Sequence, residues 1–110
     1  RTPITGMKSP AEDQPGEVTL AEARRQVGIV NKRGLHARAS AKFVGAVALM
    51  PEVAVTVSKD SHSAAGGSIL GLMMLGAARG DTVEICVAGD NCDDRLAELV
   101  AMIENGFGED

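Results

Sequence analysis

The residues whose types could do chemistry crowd into one stretch, Gly34-Leu35-His36-Ala37-Arg38-Ala39-Ser40. A neutral imidazole is a nucleophile available near pH 7, because histidine titrates in that range. Two residues on, Arg38 is a permanent cation whose planar fork suits a phosphate. Ala37 to Met50 are mostly good helix formers, so the pattern predicts a helix opening at Ala37 with His36 as its N-cap. Gly34 allows a tight backbone turn just ahead of it. The first turn of a helix carries unpaired N–H donors and partial positive charge, and so attracts anions. A histidine nitrogen beside such a cradle can carry a phosphoryl group, with donors already in place for the developing charge. The plainer alternative is a histidine that only caps a helix or sits in a solvated loop; His36 and Arg38 alone leave both readings open.

The elements that must hold this stretch come from one small domain. The chain has 110 residues and is 45% hydrophobic, yet only 2% aromatic. Its core must therefore be built from Val, Ile, Leu, Ala and Met. The shortage of aromatics argues against reading bases by stacking, and the net charge of −4 argues against non-specific binding to nucleic acid. Lys32, Arg33 and Arg38 still make one local basic spot. The two cysteines, Cys86 and Cys92, match no zinc or redox spacing and read as ordinary reduced thiols. No metal-ligand set or cofactor motif is evident. No window reaches the ~20 apolar residues of a membrane helix, and the N-terminus lacks the apolar core of a signal peptide. These features lead us to expect a cytoplasmic protein. Residues 1–22 are rich in Pro, Gly, Glu, Asp, Ser and Thr and read as a disordered extension. Within it, residues 1–6, ahead of Met7, resemble an expression remnant. The domain is expected over residues 23–110.

Periodicity supplies the elements. Arg24 to Asn31, with Val27, Ile29 and Val30, is strand-like. In the helix from Ala37 to Met50, the residues Phe43, Val47 and Met50 share a stripe flanked by Val44 and Ala48, and Pro51 ends it. Val53 to Ser58 alternates strictly. His62 to Ala65 is small and polar, as an edge strand can be. His62 itself lies in a polar turn and reads as a solvated loop residue. Ser68 caps a short apolar helix, Ile69 to Leu75, closed by Gly76. Thr82 to Ala88 is the last strand, and Cys92 to Asn105 the last helix, with Leu96, Leu99, Val100 and Ile103 on one face. The order β-α-β-β-α-β-α predicts an α+β fold. The first two strands, joined through a helix, run the same way, so the fourth must lie between them if the sheet is wholly antiparallel. The result is an open-faced sandwich, sheet order 1-4-2-3, with three helices on one face.

The second helix has more apolar residues than one buried stripe can use. If Leu72 and Leu75 face the core, Ile69, Leu70 and Met73 lie near the surface. Clustered exposed apolar groups mark a partner site, and methionine adapts to several partners. Coverage by residues 1–22 or by a second copy of the chain is the alternative.

Two blocks at a matching separation resemble the HPr family, the histidine-containing phosphocarriers of the bacterial phosphotransferase system. Gly34-Leu35-His36-Ala37-Arg38-Ala39-Ser40-Ala41 is similar to that family's active-site signature. Gly67-Ser68-Ile69-Leu70-Gly71-Leu72-Met73-Met74-Leu75-Gly76-Ala77 is similar to its regulatory-serine segment. The resemblance covers about Gln26 to Glu109 and implies a carrier, not a turnover enzyme. It implies that His36 is phosphorylated through Nδ1, with Arg38 neutralising the phosphoryl group and the backbone at Ala37 and Arg38 supplying donors. It implies a regulatory role for Ser68, phosphorylated by HPr kinase/phosphorylase in bacteria that have that enzyme. Ala37, Ala41, Ile69, Leu70 and Met73 would dock enzyme I and A-type acceptor domains, with no cofactor, nucleic acid or membrane involved. Many sugar-branch members carry proline after the arginine; here the residue is Ala39. That alanine and the Val30-Asn31-Lys32-Arg33-Gly34-Leu35-His36 lead-in are similar to the nitrogen-branch, NPr-type members. Sugar transport and nitrogen regulation therefore both stay open as outputs. From other classes, an anion-binding α/β sandwich predicts reversible ligand binding and no acid-labile phosphate. A non-relay regulatory relative would lack His36.

Overall fold

A computed structural model describes residues 21–109. The expected extension lies outside the described residues except for Ala21 and Glu22, and Glu22 already pairs with Ala88 in the sheet. In chain order the elements are β1 (Glu22–Gly28), α1 (Ala37–Ala48), β2 (Val53–Lys59), β3 (His62–Ala65), α2 (Ile69–Met74), β4 (Thr82–Gly89) and α3 (Cys92–Glu104). A single 3-10 turn, Gly106–Gly108, follows. The sheet order is β1-β4-β2-β3, antiparallel throughout. This is the expected open-faced α+β arrangement.

Alternation along the strands decides which face is covered. Val27, Val55, Val57, Val83, Ile85 and Val87 are buried together with Phe43, Leu72, Leu96, Leu99, Val100 and Ile103 of the helices. The opposite face carries Arg24, Thr56, Ser58, Glu84 and Cys86, all at least partly open to solvent. Cys86 and Cys92 are free thiols. Among the described residues no helix is long and apolar enough to cross a membrane.

Most element ends lie within a residue or two of the pattern, β2 and β4 running one residue further and α3 ending one earlier, whereas the ends of β1 and α1 are moved by backbone pairing. The first strand, expected from Arg24 to Asn31, pairs only as far as Gly28 opposite Thr82. Beyond it the chain meets the turn before β4. Ile29 N–H donates to the Asp81 carbonyl, and Gly80 N–H donates to the Ile29 carbonyl. Ile29 stays buried while Val30 is exposed. Helix α1 stops at Ala48, because Leu49 and Met50 N–H groups turn back to Ala46 and Val47 carbonyls in a tightened last turn. On α1 the stripe is uneven: Phe43 and, just past the helix, Met50 are buried, Val44 and Val47 are half-buried, and Ala48 is exposed. Ala39 and Ser40 close the other end of the buried face. The short helix ends at Met74, with Leu75 as its C-cap.

Candidate functional site

Gly34 positions the chain that leads into α1. Its φ is +64°, and a Cβ there would lie 2.3 Å from the Ala77 carbonyl oxygen. The next residue, Leu35, is buried and donates its N–H to that same oxygen at 2.9 Å. The buried Ser40 hydroxyl donates to the Leu35 carbonyl at 3.2 Å. His36 follows in extended backbone conformation as the N-cap of α1. Its Nδ1 accepts from the Arg38 N–H at 3.3 Å, so this ring nitrogen points at the free donors of the first turn. Arg38 is exposed, and with Lys32, Arg33 and Glu109 it lines a recess of about 180 Å³.

The other ring nitrogen meets a residue from the far end of the domain. His36 Nε2 lies 2.9 Å from Glu109 Oε2, and the two side chains are only 19% and 12% exposed. Glu109 is itself held: the Asn31 amide nitrogen donates to Glu109 Oε1 at 3.1 Å and to the Gly34 carbonyl at 2.9 Å. Two acceptors on one side settle which way that amide faces. The Asn31 Oδ1 is left buried and finds no partner among the described residues. The chain reaches this point because it reverses after α3 through Gly106 and Phe107, both at positive φ. Phe107 is buried, and its carbonyl accepts from Lys42 Nζ of α1 at 2.8 Å. Burial pushes the Glu109 carboxyl up. The hydrogen bonds from Asn31 and His36, the charge His36 carries when protonated and the charge of Lys42 outweigh that and hold it below the usual carboxylate range.

The remaining candidate residues fall as follows. Ala37 and Ala41 are exposed on α1, which packs against α2. On α2, Leu72 and Leu75 are buried, whereas Ile69, Leu70 and Met73 are exposed. Met74, not anticipated there, is exposed to 77% and adds to the apolar surface of α2, and Leu49, just past the end of α1, is exposed to 78%. Ser68 is the N-cap of α2, its hydroxyl accepting from the Gly71 N–H at 3.0 Å. His62 is exposed at the start of edge strand β3, opposite Lys59. Among the described residues no cluster of His, Cys, Asp and Glu could hold a metal ion.

Asn31, Lys42 and Glu109 were missed as members of this site. Asn31 offered no clear signal, standing between the apolar Ile29-Val30 and the charged Lys32-Arg33. Glu109 offered none, since 73 positions separate it from His36.

Comparison with known proteins matches residues 23–105 to the family described as the "PTS HPr component phosphorylation site". The phosphocarrier protein HPr of Pseudomonas aeruginosa is 41% identical over 85 residues, covering 76% of this chain and 93% of that protein. The phosphocarrier protein NPr of Shewanella violacea is 33% identical over 90 residues, covering 82% and 98%. Among solved structures, HPr-C-His from Thermoanaerobacter tengcongensis superposes with a TM-score of 0.75 at 35% identity, covering 80% of this chain and 98% of that one.

Proposed function

The chain belongs to the HPr family of phosphotransferase-system phosphocarriers, carriers and not turnover enzymes, and from that premise we propose that His36 is its phosphoryl acceptor. The donor is a phosphohistidine on enzyme I. As the donor's P–N bond breaks, its electron pair returns to the donor nitrogen and a new bond forms from His36 Nδ1 to phosphorus. Phospho-His36 then passes the group to a histidine on an A-type acceptor domain. The observation that carries this reading is the placement of Nδ1 at the N-terminus of α1, 3.3 Å from the Arg38 N–H. A phosphoryl group on Nδ1 would meet the helix-end donors and the Arg38 guanidinium. Phosphoryl transfer asks for little beyond such positioning and neutralisation of charge.

The exposed Ile69, Leu70 and Met73, with Ala37 and Ala41 across the helix pair, are the docking surface for both partners in this proposal. Ser68, at the edge of that surface, is a regulatory site for a kinase of the HPr kinase/phosphorylase type. The test is to incubate the full chain with enzyme I and phosphoenolpyruvate and to weigh the intact protein. The expected result is gain of one acid-labile phosphoryl group, absent from a folded His36→Ala variant. A labile phosphate mapped to His62 would overturn the assignment.

A further inference from the structure

Both nitrogens of His36 are engaged, and the two contacts demand the same protonation pattern. Nδ1 accepts from a backbone N–H, so it carries a bare lone pair. Nε2 faces a carboxylate oxygen, an acceptor only, so it carries the proton. The ring is thus a neutral Nε2–H tautomer with its lone pair on the side of the helix end. Its mobility is limited as well, since Glu109 is held by Asn31, and Asn31 by the Gly34 carbonyl.

We propose that Glu109 is a positioning residue for phosphoryl transfer through His36, an inference that rests on the carrier function proposed above. It acts in two ways. Before transfer it holds the ring with Nε2–H toward itself, presenting Nδ1 to the incoming phosphorus. During transfer Nδ1 gives its lone pair to phosphorus, the donor nitrogen recovers its pair, and the proton stays on Nε2. The imidazole therefore gains positive charge as the bond forms. The Glu109 carboxylate, 2.9 Å from Nε2 and largely shielded from water, lies where that charge develops. An acid that orients an imidazole and stabilises its cationic form without taking the proton follows the logic of the carboxylate in a hydrolase triad. Glu109 does not touch the phosphoryl group in this scheme; it works through the ring.

Two variants separate orientation from charge. Glu109→Gln keeps an oxygen that can accept from Nε2–H but removes the charge; Glu109→Ala removes both. Full-length protein is labelled with ¹⁵N, and the ring Nε2–H is followed by NMR above the pH range in which histidine titrates. The rate of phosphoryl acceptance from enzyme I is measured on the same samples. The wild type is expected to show a protected Nε2–H signal and to accept the group. Glu109→Gln should retain the signal and lose roughly tenfold in rate, in line with removal of a group that tunes a functional imidazole. Glu109→Ala should lose the signal and be slower still. A purely structural role for Glu109 would leave the Gln variant at wild-type rate, and that result overturns the proposal. So does an Nε2–H signal unchanged in Glu109→Ala. If the wild type itself accepts nothing from enzyme I, the carrier function fails and the role of Glu109 falls with it, a pattern distinct from slow variants of an active wild type.

Discussion

Arg38 and His36 are two residues apart and contribute different things to one site. The Arg38 backbone N–H faces Nδ1, while its side chain stands exposed at the rim of the recess. Removing an exposed side chain of this kind should change stability by no more than about 0.5 kcal/mol. Losing a charge-assisted contact to the transferring group should cost far more, about 2–4 kcal/mol of transition-state stabilisation. Arg38→Ala is therefore expected to slow acceptance about 30- to 10³-fold at nearly unchanged melting temperature. Stopped-flow or quench-flow transfer from phosphorylated enzyme I, beside thermal melts, reads both quantities. An unchanged rate would remove the guanidinium from the mechanism.

Among the elements, α2 has the most unusual surface for its size. Its six residues bury Leu72 and leave Ile69, Leu70, Met73 and Met74 facing water. Because Leu70 and Met73 are exposed, Leu70→Glu and Met73→Glu should fold normally by circular dichroism. Each should weaken binding to enzyme I at least several-fold, measurable by titration calorimetry. Full affinity in both would move the docking surface elsewhere. The start of the same helix carries a second expectation. The Ser68 hydroxyl already caps the Gly71 N–H, and an anion at a helix N-terminus is favourable, so a negative group there should not melt α2. Its effect should fall on docking, by placing charge and hydration beside the apolar surface. Ser68→Asp is expected to slow phosphorylation of His36, and Ser68→Asn, which keeps a cap without the charge, to stay near wild type. Equal rates for the two would leave Ser68 as a cap alone.

At the scale of the whole molecule, Glu52 and Glu109 are two carboxylates that join distant segments. Glu109 ties the turn after α3 to the loop before α1. Glu52, just before β2, accepts from Arg95 Nε of α3 at 2.6 Å, and Arg95 also reaches Glu98. The hydrogen bond from Arg95 is the main reason the Glu52 carboxyl lies below its usual value of 4.5. Glu109 is shifted the same way. A carboxyl depressed in the folded state adds stability that is fully present above the unfolded value. That stability fades as the pH drops through the folded value. The protein should therefore lose urea resistance progressively below about pH 4.5. Glu52→Gln should be less stable than wild type at pH 7 and show a shallower loss on acidification. Urea midpoints at pH 7 and pH 3 test this, and parallel curves for variant and wild type would refute it.

Much of this fold is legible in the sequence because its signals repeat over a few residues. Strict alternation in Val53 to Ser58 and Thr82 to Ala88 determines which face is covered, since successive side chains point to opposite sides. The 3.6-residue period of Leu96, Leu99, Val100 and Ile103 does the same for α3. Even the sheet order follows, from a helix joining two strands that must run the same way. His36 as an N-cap and the surplus of apolar residues in α2 were readable for the same local reason. What the sequence could not determine were meetings between segments far apart in the chain. The end of β1 depends on where the turn before β4 begins, and the need for glycine at 34 depends on the Ala77 carbonyl lying 2.3 Å from where a Cβ would stand. The contact between Glu109 and His36 spans 73 positions. It exists only because α3 packs on the sheet and the chain then reverses at Gly106 and Phe107. No local period encodes that geometry; packing decides it, and with it which nitrogen of His36 faces the helix end and which faces Glu109.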